Sequence, residues 1–132
     1  MTKAYAQISS ETWNFRYGVE DEYSPYVGVY HTVELSAVFG PDYVPGDCAD
    51  CSYKTYNKNI VPVVMSYWIS FIRSLNPNTH KLPGSPVWEP WRSCEGGNRL
   101  RFETNNTQME KVPMDQLERC GMWEAMSKCS EQ

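Results

Sequence analysis

Gly28-Val-Tyr-His31-Thr-Val-Glu34-Leu-Ser-Ala-Val-Phe39-Gly40 is the stretch on which the reading of this chain turns. It sets one of only two histidines on a short loop between two strand-like runs. Upstream, residues 12–18 (Thr-Trp-Asn-Phe-Arg-Tyr-Gly) alternate polar with aromatic, the period of a strand with one buried face. Trp13, Phe15 and Tyr17 then line one side. Glu20-Asp21-Glu22 reads as a solvated charged turn, and Ser24-Pro25 opens a loop that runs to His31. Residues 33–39 are apolar with a polar break at Ser36, which fits a short helix or turn after the histidine.

Downstream, Pro41, Pro45 and Gly46 mark an irregular segment to about residue 56. Asn59 or a polar neighbour is placed to cap a helix that Pro62 enters near its first turn, where a missing N–H costs little. Val61, Val64, Met65, Trp68, Ile69, Ile72 and Leu75 recur at spacings of three and four and predict a wide apolar face. Asn76-Pro77-Asn78 stops this helix. Proline and glycine dominate residues 83–90, Gly96-Gly97 opens a turn, and residues 99–104 alternate as a short strand. A last helix is expected from Pro113 and Asp115, turning Leu117, Cys120, Gly121, Trp123 and Ala125 toward a core.

The 132 residues fit one domain, residues 1–132, with no repeat and no linker long enough to divide it. With 41% hydrophobic and 21% charged residues the composition is that of a globular protein. A net charge of -4 and twelve scattered Lys and Arg argue against a nucleic-acid partner, which needs a basic stripe. No apolar run reaches the roughly 18–20 residues of a membrane helix. Five cysteines and the glycosylation triplet Asn105-Asn106-Thr107 point to an oxidising, extracellular setting. Met1 is followed by no signal-peptide pattern, so the simplest expectation is that the original N-terminus is missing.

Five pieces stand in an order that resembles the C-terminal end of type-B carboxylesterases, the α/β-hydrolase family of fungal lipases, esterases and cholinesterases. A strand leads to Gly-Val-Tyr-His31-Thr-Val-Glu34 and Val38-Phe39-Gly40. A helix carries Met65-Ser-Tyr67-Trp68-Ile-Ser-Phe71 and ends at Asn76-Pro77-Asn78. Trp88-Glu-Pro-Trp91 precedes the strand Leu100-Arg-Phe102, and Arg119-Cys120-Gly-Met-Trp123 resembles the closing helix. The resemblance implies an α/β class: the C-terminal part of an α/β-hydrolase fold, made of edge strands and two main helices and incomplete as a free-standing domain. It also implies a carboxylic ester substrate, an extracellular parent, and the missing N-terminal part of the fold as partner. It makes His31 the general base of a Ser–His–acid triad, which takes the serine proton and later protonates the leaving alcohol. An imidazole, titrating ordinarily near 6.5, does both near neutrality.

The rest of the machine is not in the sequence. No Gly-x-Ser-x-Gly elbow occurs, Gly84-Ser85-Pro86 being only a loop triplet, and no glycine-rich oxyanion stretch precedes the histidine. The family's acid comes from an earlier segment, so Glu20, Asp21, Glu22 and Glu34 are not assigned that role. Glu34 reads as structural and satisfied by nearby hydrogen bonds. The expectation is a serine-hydrolase segment that is inactive alone. The alternative is a secreted, non-catalytic binding or adhesion module derived from the same fold, and a third reading is a small disulfide-stapled protein with an accidental motif.

Cys48-Ala-Asp-Cys51 has the spacing of a metal knuckle or redox pair, but zinc needs two more ligands and no second knuckle exists. Disulfides are the favoured reading, and no metal or cofactor is expected. The resemblance pairs Cys120 with a cysteine that would precede residue 1. Tyr67, Trp68 and Phe71, with Trp88, Trp91 and Trp123, read as core packing before a ligand platform.

Overall fold

A 15-residue helix organises the chain, and its ends follow from its sequence. In the computed structural model, which describes Ile8 and residues 11–21, 26–44, 52–91 and 97–130 (side chains to 127), helix α2 spans Ile60–Ser74. It follows β1 (Phe15–Tyr17), the short helix α1 (Leu35–Phe39) and a 3₁₀ turn at Ser52–Lys54. β2 (Asn98–Phe102), β3 (Gln108–Lys111) and α3 (Met114–Ser130) come after it. Pro62 lies in the first turn of α2, where no intrahelical partner for its missing N–H is required. Asn59 caps differently from expectation. Its backbone is already helical, its side chain makes no capping bond, and its Nδ2 instead donates to Oδ1 of Asn105 at 3.1 Å. At the other end Leu75 turns left-handed (φ +56°), donates its N–H to Phe71 O at 2.7 Å, and Asn76-Pro77 leads the chain away.

The buried stripe of α2 is Ile60, Val64, Tyr67 and Ser70, with Val61, Val63 and Trp68 partly covered. This corrects the expected face: Ile69, Ile72 and Leu75 are exposed, Ile72 at 76%. Serines rotate the helix. Ser70 Oγ donates to Asn76 O at 2.7 Å and accepts from His80 N at 2.8 Å. Ser66 Oγ accepts from Leu82 N at 2.9 Å, and Ser74 Oγ donates to Ser70 O at 2.7 Å. The hydrogen bonds of a hydroxyl so partnered offset the cost of taking it out of water, and they stitch the 76–91 loop to the helix. Asn78 continues the seam through paired bonds with the Trp88 backbone, 2.7 and 2.9 Å long.

The sheet has order β1-β2-β3, with β1 parallel to β2 (Phe15↔Leu100, Tyr17↔Phe102) and β2 antiparallel to β3 (Leu100↔Met109). Bonds from Leu100 N to Asn14 O and from Gly18 N to Phe102 O extend the β1 pairing to nearly the 12–18 span read from the sequence. Leu100 and Phe102 face the core, which also holds Val19, Val33, Ala37, Tyr53 and Trp88. Phe102 is its centre, with the rings of Phe15, Tyr17, Tyr67, Trp68 and Trp88 at 5.8–6.3 Å between centroids. Trp88 is therefore core, as read, and it fastens β1 through Nε1 to Asn14 O at 2.9 Å. On the opposite face Arg99 pairs with Glu110 at 2.6 Å, and Arg101 and Arg16 reach the same carboxylate at 3.5 and 4.0 Å.

Gly97 (φ +80°) lies under the Trp91 ring, into which any Cβ would project. Gly97→Ala is expected to cost about 1–3 kcal/mol, through the collision and the left-handed backbone together. A urea midpoint equal to the parent's would show that the ring moves aside without penalty.

Helix α3 departs from expectation. Leu117 is half-buried, but Cys120, Gly121, Trp123 (61% exposed) and Ala125 face solvent. Its apolar residues do not gather on one stripe. Its first turn is held by Arg99 Nη1, which donates to Gln116 Oε1 at 3.1 Å. No described helix is long and apolar enough to cross a membrane.

Candidate functional site

Parallel pairing fixes where β1 delivers the chain, and the histidine loop leaves from that end. Beyond Tyr17, Val19 drops into the core and Glu20 O accepts from Asn57 Nδ2 at 2.8 Å. Asn57 is fully buried and binds three segments at once. The same Nδ2 reaches Ser52 Oγ at 3.0 Å, its Oδ1 accepts from the Thr104 hydroxyl, and its N–H donates to Ser52 O at 2.6 Å. The exits of β1 and β2 are thereby locked to the 52–57 turn. Tyr30 then ties the histidine loop back, donating its hydroxyl to Asp21 Oδ2 at 3.3 Å.

Val33 and Ala37 anchor the far side of the loop in the core, and α1 forms where a short helix or turn is read from sequence. Just before these anchors His31 is exposed, at the head of a tight turn in which Val33 N bonds Tyr30 O and Leu35 N bonds Thr32 O. Two left-handed residues frame it, Gly28 (φ +68°) and Thr32 (φ +76°). For a β-branched residue this conformation costs about 1–3 kcal/mol, and such strain gathers at functional loops. The Thr32 hydroxyl donates to the carbonyl of His31 and so holds the turn. Among the described residues no hydroxyl or carboxylate bonds to the imidazole.

The carboxylates near the loop serve other groups. Glu34 accepts from Ala37 N at 2.9 Å and Val38 N at 3.0 Å through its backbone oxygen, and its charge acts on Tyr17 and Tyr53. Asp21 accepts from Tyr30, Glu20 is exposed, and Glu22 lies outside the described residues. The tyrosine pair and Asn57 carry no signal in sequence, because both depend on loops meeting in space. Cys48, Cys51 and Cys94 also lie outside the described residues, and Cys120 is an exposed free thiol.

Tyr17 and Tyr53 join their hydroxyls at 2.8 Å beneath the loop. Burial pushes Tyr53 from 10.0 up to about 12, and raises Tyr17 further, with the charge of Tyr53 adding to that rise. Each hydroxyl keeps its proton longer folded than unfolded. The resulting stability is fully present below about pH 10 and is lost as pH rises through about 12. Melting temperature should therefore fall across that window together with the appearance of tyrosinate absorbance. A flat melting curve there would sink the assignment.

A second feature is apolar. Between β1 and α2 opens a groove of about 430 Å³, lined by Trp13, Phe15, Trp68, Phe71, Ile72 and Trp88, with Glu11 the single charged lining residue among those described.

The chain is similar in sequence and fold to known proteins. Secreted lipase 4 of Gibberella zeae is 25% identical over 113 residues, 85% of this chain and 18% of its own length. Bile salt-activated lipase of Mus musculus is 27% identical over 101 residues, 74% of this chain and 16% of its own length. The crystal structure of Aspergillus niger EstA superposes with a TM-score of 0.88 at 40% identity, covering 96% of this chain and 24% of that one. Geobacillus stearothermophilus carboxylesterase Est55 shares the fold, with a TM-score of 0.62 at 23% identity over 85% of this chain and 22% of that one. The chain spans about a quarter or less of the length of these relatives. Its sheet and helices are part of an α/β-hydrolase fold. The sequence profile of the carboxylesterase family matches residues 1–123, and the chain belongs to that family.

Proposed function

We propose that residues 1–132 are the C-terminal segment of a secreted carboxylic ester hydrolase and supply its general base, His31. The observation that carries this reading is the placement of His31: solvent-facing, between the left-handed Gly28 and Thr32 and just before the core residues Val33 and Ala37, in a chain that superposes on EstA over 96% of its length. The nucleophilic serine and the acid come from the remainder of the fold. The serine's hydroxyl proton passes to the imidazole as the oxygen attacks the ester carbonyl, and the imidazolium returns it to the leaving alcohol. Alone, the segment has no serine in reach of the ring among the described residues and is inactive.

The same reading gives the groove an occupant. β1 is an outer strand in the described sheet, and three quarters of the EstA chain has no counterpart here. The remainder of the sheet and its covering helices pair with β1 and seal Phe71, Ile72 and their neighbours from water. Cys120, exposed and unpaired, bonds to a cysteine of that remainder. Substrate is a carboxylic ester, and the likeness to secreted lipase 4 of Gibberella zeae supports an extracellular location.

The test is a chimera in which this chain replaces the matching quarter of EstA. Folded chimera should hydrolyse p-nitrophenyl butyrate while residues 1–132 alone do not. If the His31→Ala chimera is folded and equally active, the base lies elsewhere.

A further inference from the structure

We propose that Asn105 is an N-glycosylation site, its side-chain amide taking an oligosaccharide from a lipid-pyrophosphate donor. Asn105-Asn106-Thr107 is the single Asn-x-Ser/Thr triplet in the 132 residues. The structure sets it at the tip of the β2–β3 hairpin, where Asn106 N bonds back to Glu103 O at 3.1 Å. Asn105 is exposed and left-handed (φ +59°), a turn position that by itself accounts for an asparagine.

Two further observations are not explained by the turn. Asn59 Nδ2 holds Asn105 through its Oδ1, which leaves the Asn105 Nδ2 with no acceptor among the described residues. That bond survives glycosylation, because the modified amide keeps its carbonyl oxygen. Thr107, two residues on and partly exposed, has a hydroxyl with no partner among the described residues. The turn does not require that hydroxyl, whereas amide glycosylation does.

In the reaction Nδ2 attacks C1 of the first sugar, the C1–O bond to the lipid pyrophosphate breaks, and the amide gives up one proton. The lipid pyrophosphate leaves, and no oxidant or metal of this chain takes part. Since β2 runs parallel to β1, the hairpin leaves the sheet at the end from which the histidine loop departs. The glycan therefore stands on the His31 edge of the molecule.

The inference rests on the secreted reading above, and its test separates the two. The open reading frame that carries residues 1–132 is expressed in yeast with and without an added secretory leader. Amidase treatment in heavy-oxygen water then turns a glycosylated Asn105 into labelled Asp in the 98–111 peptide. With the leader the label should appear, survive Thr107→Ser, and vanish in Asn105→Gln and in Thr107→Ala. Peptides from the microsomal fraction are mapped too, so a poorly exported variant still reports. An unlabelled Asn105 in leader-bearing protein, or a label that persists in Thr107→Ala, overturns the proposal. A label that appears only with the added leader leaves Asn105 as acceptor and overturns the secreted reading instead.

Discussion

His31→Ala in the EstA chimera is expected to lower kcat for p-nitrophenyl butyrate by about four orders of magnitude or more. KM should change by less than about tenfold, because the lost interaction belongs to the transition state rather than to substrate binding. The imidazole is exposed and belongs to no part of the core within residues 1–132, so the melting temperature should fall by no more than a few degrees. That combination separates loss of the base from loss of the fold. A deficit below tenfold in folded protein would end the triad assignment and favour a binding role for the segment.

Phe102→Ala should have the largest effect on stability, about 3–5 kcal/mol. The side chain is fully buried and five aromatic rings surround it, so its removal leaves a cavity that rigid neighbours cannot close. Domains of this size are stable by about 5–15 kcal/mol in all, so the change consumes a large share. Phe39→Ala is the matched control. Its ring is 60% exposed, and the loss should stay within about 0.5 kcal/mol. Chemical denaturation of the polypeptide carrying residues 1–132 measures both. A Phe102→Ala midpoint close to the Phe39→Ala midpoint would show that the core lies elsewhere.

Elements with a strong period were legible in sequence: β1, α2, β2 and the start of α3 all form where alternation or helical spacing places them. β3 was not. Gln108-Met-Glu-Lys111 is nearly all polar, and it becomes a strand because β2 pairs with it and Arg99 meets Glu110 across the ladder. The face of α2 was misread because Ser66 and Ser70 count as polar in a helical projection. Both have backbone partners ten or more residues away, which no local window contains. The face of α3 was misread because apolar residues were assumed to have something to cover them. At the site, the histidine turn was legible as a motif followed by a short apolar helix or turn over residues 33–39. The clamp around Asn57 was not, since its partners Glu20, Ser52 and Thr104 come together only in the folded chain.

The parallel pairing of β1 with β2 also governs how this chain reaches its structure. The bond from Trp13 to Trp88 joins residues 75 apart, and the aromatic face of α2 needs both ends of that span to be covered. A nascent chain makes β1, the histidine turn and α2 well before β2 exists. Until Leu100 and Phe102 arrive, Phe15, Tyr67 and Trp68 lack the Phe102 ring that lies against all three, and closing so long a loop is slow. The interval favours association between copies of unfinished chain. Slowing synthesis between α2 and β2 would lengthen that window and shift product toward aggregate, whereas slowing it after β3 would not.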